Sequence, residues 1–327
     1  MFKKLNIKKV ALWLFIIMIA SFAIAGTIFY QSGGYNELVK GTSGHNIDET
    51  LPFTANGINE IRIDCDSPNV NIIPSDSNDI RVHFHGTAAV NKNNHYPKLN
   101  ARIENNKLVI KVDGTITIGI NLGIFKELNL DVHVPKTYSS DILVNATSGN
   151  IAVQGLNLNN LNCKSNSGNL SLQSVTAKKG QLKTTSGNAT GNEINVDRLN
   201  CQCFSGNIKM DSLSSTETTL KTTSGEIDVL KFTGDLKANS FSGNVFVEYT
   251  TFNNNVDVSA TSGEVSIQLP ETAEFYLRAN ASSGKITNTF PLTVDGDKSR
   301  HHLEGTVVNG NNRITVKTFS GDIEITK

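Results

Sequence analysis

The chain predicts an all-β fold: a β-solenoid (β-helix-like) of ~19-residue rungs, preceded by one N-terminal transmembrane helix. Three observations carry this. First, Ser-Gly followed by a polar residue recurs, with serines at 148, 167, 186, 205, 224, 242, 262, 283 and 320. The steps are 19, 19, 19, 19, 18, 20, 21 and 37 residues, the last read as two rungs with one unmarked. A fixed period with a glycine turn in each copy marks a repeat architecture. Second, polar and small or apolar residues alternate on both sides of every Ser-Gly. Third, an uncharged apolar run, Val10 to Phe29, follows four lysines, Lys3, Lys4, Lys8 and Lys9.

The alternation fixes the strands. Four residues before each serine stand Val144, Cys163, Leu182, Cys201, Leu220, Ala238, Val258, Ala279 and Val316, none charged. Two before stand Ala146, Ser165, Thr184, Cys203, Thr222, Ser240, Ala260, Ala281 and Thr318, all small. Polar residues lie between them, so one face is buried and one wet. Past the corner, Ile151, Leu170, Ala189, Ile208, Ile227, Val245, Val265, Ile286 and Ile323 open a second strand. Pairs such as Val175/Ala177 and Ile194/Val196 show a third stretch in some copies. Glycine is expected at the corner because a sharp bend calls for positive φ. The asparagines after it are expected to act as turn formers, with a stacked amide ladder as the alternative.

The template also fits once upstream, with Ile63, Cys65, Val70 and Ile72 in the inward columns about Ser67 and Pro68 at the corner. The resulting domains are a cytoplasmic basic tail (1–9), a transmembrane anchor (10–29), a tether (30–56), an N-terminal part or cap (57–135) and the repeat solenoid (136–327). The segment 91–97 reads as a loop. Residues 288–313 break the period around Asp295-Gly296-Asp297 and read as a loop or lid over the last rungs.

Twenty apolar residues can span a bilayer, and flanking lysines hold the N-terminus in the cytoplasm. The expected localisation is therefore single-pass in the cell membrane with the C-terminal domain extracytoplasmic. The alternative is secretion after cleavage near Ala25, since Ala23-Ile24-Ala25 resembles a small-residue cleavage site. The 327 residues carry 30 basic and 30 acidic side chains, a balance that argues against a nucleic-acid partner. Cys65, Cys163, Cys201 and Cys203 are expected to stay unpaired. Cys163 and Cys201 share a column two rungs apart, about 9.6 Å by strand spacing, beyond disulfide reach.

The candidate sites are sparse. No catalytic, cofactor-binding or metal site is expected. His83 and His85 share a strand face, but two ligands do not make a site. No phosphate loop or nucleophile elbow occurs, and the rung acids Asp211, Asp228, Glu248 and Glu264 are scattered over different rungs. The one contact stripe is an outward column holding Lys164, Lys183, Lys221 and Lys317. It suits an anionic polymer or headgroup, against the plainer alternative of solvated surface. The next outward column carries Phe204, Phe241 and Phe319 among threonines. These rings suit stacking on sugars, or else packing beneath a neighbouring loop, which the sequence favours.

The segments Val134-Pro135-Lys136, Asp141 to Ile151 and Gly310 to Ile325 resemble the DUF4097 family over about residues 57–327. Its members are bacterial and often membrane-anchored, bear an adhesin label by fold analogy, and bring no catalytic residues. The Asn-rich turn at 310–312 departs from relatives that carry a second glycine there. The resemblance implies a membrane-anchored binding or structural module of the bacterial envelope, adhesin-like and without catalysis. Its partners would be the membrane through residues 10–29, together with an envelope polymer, lipid headgroups or a membrane protein. The alternatives are an accessory part of an envelope-stress system contacting membrane or a sensor protein, and a glycan-active β-helix enzyme.

Overall fold

The computed structural model describes residues 7–31, 44–89, 96–113, 128–295 and 299–327. Most of the expected tether, the loop residues 91–95, and Gly296 and Asp297 lie outside them. The chain divides into two compact units, one of residues 1–46, 87–96 and 114–126, the other of residues 47–86, 97–113 and 127–327. In the first, the expected helix spans Ile7–Gln31, and the His45 and Tyr96 rings stack at 4.1 Å. Among the described residues no helix is long and apolar enough to cross a membrane. The helix side chains described, residues 17–31, are all exposed.

The second unit is all-β. Its rungs stack parallel and in register at the repeat step: Leu161↔Gly180↔Leu199↔Thr218, with Ile151↔Leu170↔Ala189↔Ile208 on the next wall. The inward columns form a continuous core. Val144, Cys163, Leu182, Cys201, Leu220, Ala238, Val258 and Val316 are fully buried one above another. Farther on, Phe232, Tyr249, Phe252, Phe275 and Phe290 form a chain of tilted and edge-on rings 5.0–6.1 Å apart. Such pairs gain beyond their burial because ring edges meet ring faces.

The order of rungs departs from the order of the sequence at both ends. The strand Arg313–Ser320 lies between Val256–Ser262 and Phe275–Ser283, so Ser262 neighbours Ser320 and Ser320 neighbours Ser283. The step of 37 is therefore no unmarked rung. The chain leaves the stack after Ile286–Asn288, runs back as His302–Val307 antiparallel to Phe275–Ser283, and then inserts its last repeat one rung earlier. Residues 302–307 thus cover the terminal edge, as the lid reading expects. At the other end Glu60–Cys65 inserts between Lys107–Asp113 and Asp141–Ala146. Antiparallel strands again close both walls, Lys98–Glu104 on one and Asp79–Ala89 on the other. Covered edges cannot recruit further strands.

The corners explain the motif, and correct the reason for its glycine. Gly149, Gly168 and Gly187 lack a left-handed φ, yet a Cβ on any of them would fall 1.8–2.2 Å from the carbonyl oxygen of the rung beneath. Close backbone approach, more than φ, requires glycine. Small hydroxyl residues serve the same corner: Thr184 Oγ1 donates to the Gly168 oxygen (3.0 Å) and Thr222 Oγ1 to that of Gly206 (3.1 Å). The asparagines do more than turn the chain. Each Oδ1 accepts the backbone N–H of the next rung: Asn150 from Asn169, Asn169 from Asn188, Asn188 from Asn207 and Asn207 from Glu226, at 2.8–2.9 Å. The ladder runs side chain to backbone, not amide to amide. A second corner goes unmarked in the sequence, with Gly155, Ser174, Glu193, Ser212 and Lys231 all left-handed at φ 48–61°. Residue type varies there, so no motif reveals it.

Candidate functional site

The Ser-Gly corners line up into a groove along one face of the stack. Its floor is the small column, Thr184, Cys203, Thr222, Ser240 and Ala260. One bank is the column of Lys183, Gln202, Lys221, Asn239 and Ser259, and the other is Thr185, Phe204, Thr223, Phe241 and Thr261. The groove is open, crosses five rungs and has a volume of about 650 Å³. Its lining holds no carboxylate, and its only charges are lysines. It exists because strand alternation sends the small column inward at the corner and leaves its two flanking neighbours outside.

The four predicted lysines fall in one column: Lys183 and Lys221 line the groove, and Lys164 and Lys317 extend the column one rung beyond it at either end. Lys164 sits beside Lys183, Gln202 separates Lys183 from Lys221, and Asn239 and Ser259 lead on to Lys317. The strand insertion places Lys317 directly against Ser259, with Asn280 beyond it rather than between. All four are exposed, and among the described residues none forms an ion pair. Several other cations on the rungs are paired, as in Arg198–Glu217 (3.1 Å), Lys231–Asp211 (3.3 Å) and Lys209–Asp228 (3.5 Å).

The expectation that a loop covers the phenylalanines is overturned. Phe204, Phe241 and Phe319 are 59%, 62% and 65% exposed. The corners there are two-residue turns, and among the described residues no loop reaches back over the rings. Thr223 separates Phe204 from Phe241, and Thr261 separates Phe241 from Phe319, so the rings stand on alternate rungs. Their backbone spacing is therefore about 9.6 Å. The period in the sequence lists these residues without showing that alternation, because Phe319 belongs to the inserted strand.

The cysteines are free and buried, as expected. Burial pushes the Cys65 thiol up to about 12, with Asp66 and Asp64 adding to it, and burial alone does the same for Cys163. Neither is a nucleophile or ligand at neutral pH.

The histidines need a correction. The sequence pairs only His83 and His85. The antiparallel register sets Asp131 opposite His83, and ligand atoms of the three lie within 4.8 Å of one another. Burial raises the Asp131 carboxyl, but hydrogen bonds from Asn71 and His85 outweigh it and hold the group below the usual range. Burial, with Arg81 beside it, lowers His133.

The profile of one family, Toastrack DUF4097, matches residues 58–326. The chain belongs to this family. Among solved structures it is similar to a candidate adhesin from Parabacteroides distasonis ATCC 8503, at 17% identity and a TM-score of 0.51, over 86% of this chain and 98% of that one. It is also similar to a candidate lipid-binding protein from the same organism, at 18% identity and a TM-score of 0.50, over 87% and 98%. At such identity these likenesses show a shared fold alone. No curated protein matches.

Proposed function

We propose that this Toastrack chain is a β-solenoid binding module of the bacterial envelope, and that its groove docks an anionic glycan polymer. The observation that carries this is the juxtaposition, along the groove and the rung beyond it at either end, of three exposed phenylalanines on alternate rungs and four lysines without carboxylate partners. Rings spaced two rungs apart match the order of a disaccharide repeat and can stack on sugar faces. The lysines supply charge along the same line, and Gln202, Asn239 and the threonines offer hydrogen bonds. The reading is one of contact rather than chemistry: the groove lining holds no carboxylate and no histidine.

An N-terminal anchor fits this reading. The described part of the helix exposes Ile17, Met18, Ile19, Phe22, Ile24 and Ile28, an apolar surface suited to lipid. The lysines before its apolar run favour a cytoplasmic N-terminus.

The test is co-sedimentation of the purified full chain with cell wall bearing its anionic polymer, with the same wall stripped of it, and with anionic liposomes, at low and high salt. The proposal expects retention on intact wall that falls with salt, since the Debye length shrinks from about 10 Å at 0.1 M to 3 Å at 1 M. Equal retention on stripped wall, or equal retention by a variant with all four lysines changed to Gln, would end it.

A further inference from the structure

We propose that the N-terminal end of the stack carries a divalent transition-metal site of the zinc class, held by His83, His85 and Asp131. It lies apart from the groove, and its two histidines are unused by the function above.

The site follows from strand geometry. His83 and His85 are two apart on Asp79–Ala89, so their side chains leave the same face. That strand runs antiparallel to Leu128–Pro135, with His83 facing Asp131 and His85 facing Asn129. The imidazoles stack with centroids 4.3 Å apart and planes 23° from parallel. His85 Nε2 stands 3.0 Å from Asp131 Oδ2, and the three ligand atoms fall within 4.8 Å of one another. Ligands about 2.0–2.2 Å from a tetrahedral zinc lie within that compass, so small rotamer changes close the set.

Surrounding groups orient the ligands. Asn71 Nδ2 donates to Asp131 Oδ1 at 2.7 Å, which fixes the carboxylate and leaves Oδ2 facing the histidines. Such outer hydrogen bonds are the usual support of a metal ligand. Asp48 Oδ1 stands 2.8 Å from His83 Nε2, on an exposed side chain able to supply a fourth ligand or yield to water. The next pair on the same face is Arg81 with His133. A fixed cation there makes His133 a poor ligand and bounds the site on that side. All three ligand side chains are 20–33% exposed, so an ion can enter from solvent.

The donor set selects the metal. Two imidazoles and one carboxylate suit zinc, nickel, copper or iron, whereas calcium and magnesium prefer all-oxygen sites. An ion there would tie the antiparallel closing strand to the wall that continues into the rungs.

The test uses the purified, tag-free full chain with zinc chloride and cobalt chloride. One zinc per chain by calorimetry, a visible cobalt(II) band and a raised thermal midpoint with zinc are expected. His83→Gln, His85→Gln and Asp131→Asn should each weaken zinc by about 100-fold or more, and Asn71→Ala by ~10-fold, the scale of outer-shell changes. His301→Gln with His302→Gln should change nothing. Far-UV circular dichroism checks that each variant folds, and the loss of the cobalt band in the three ligand variants locates the ion. No binding to the parent at about 1 mM zinc would overturn the site. So would undiminished binding in the three ligand variants.

Discussion

Gly206→Ala tests the reason given for the repeated glycine. A Cβ at 206 would stand 2.0 Å from the Gly187 oxygen and 2.6 Å from its carbon. An ordinary carbon–oxygen contact is about 3.3 Å, so the two rungs must part there by roughly 1.3 Å on a spacing of ~4.8 Å. Three hydrogen bonds cross that gap: Gly187 N to Ser205 O (3.2 Å), Asn207 N to Asn188 Oδ1 (2.8 Å) and Ala189 N to Asn207 O (2.9 Å). At about 1 kcal/mol each they amount to ~3 kcal/mol. Holding alanine at φ 157° adds about 1 kcal/mol. The expected loss is ~4 kcal/mol, exceptional for one methyl group. Gly191→Ala is the control. Its Cβ would meet the Met210 Sδ at 2.5 Å, the end of a flexible side chain, and should cost only about 1 kcal/mol. Equilibrium urea unfolding followed by far-UV circular dichroism gives both values, and hydrogen exchange at Ala189 and Asn207 locates the damage. Equal losses for the two variants, or less than about 1.5 kcal/mol for Gly206→Ala, would refute the close-approach argument.

Other expectations follow from the same geometry. Asn207→Ala removes the acceptor of the Glu226 N–H and should cost ~1 kcal/mol in urea, with faster exchange at Glu226 and little change two rungs away. Cys163 is fully buried, with a thiol pushed up to about 12 from an ordinary 9.0, so the folded state keeps a proton that the unfolded state loses. Stability it supplies is complete below pH 9.0 and falls as pH rises towards 12, by about 1.4 kcal/mol per pH unit. Cys163→Ala should flatten the stability–pH curve over that window, and an unchanged slope would contradict the assignment. Changing Phe204, Phe241 and Phe319 together to Ser should leave the unfolding midpoint nearly unchanged, because the rings are largely exposed, while abolishing retention on intact wall.

The rung itself was legible in the sequence because one column decides each position. Val144 through Val316 had to be apolar, Ala146 through Thr318 small, and the residues between them polar, and the structure buries and exposes them accordingly. Rung order was not legible. Arg313–Ser320 satisfies the same template as its neighbours, so nothing in it says that it slots between Val256–Ser262 and Phe275–Ser283. That choice rests on free edges, since His302–Val307 occupies the far side of Phe275–Ser283. The lysine bank was visible as a column. The groove was not, because only the insertion puts Phe319 on the rung next to Thr261, ahead of Ser282, and so sets the three rings on alternate rungs. Asp131 was missed for a related reason: it meets His83 through an antiparallel pairing that the parallel period does not encode.

The most direct test of the account is oxidative and amine footprinting of the full chain with and without anionic wall polymer. The account predicts protection of Phe204, Phe241 and Phe319 together with Lys164, Lys183, Lys221 and Lys317, and no change at paired cations such as Lys231. Polymer binding with those seven residues unprotected, or protection centred on another face, would contradict it.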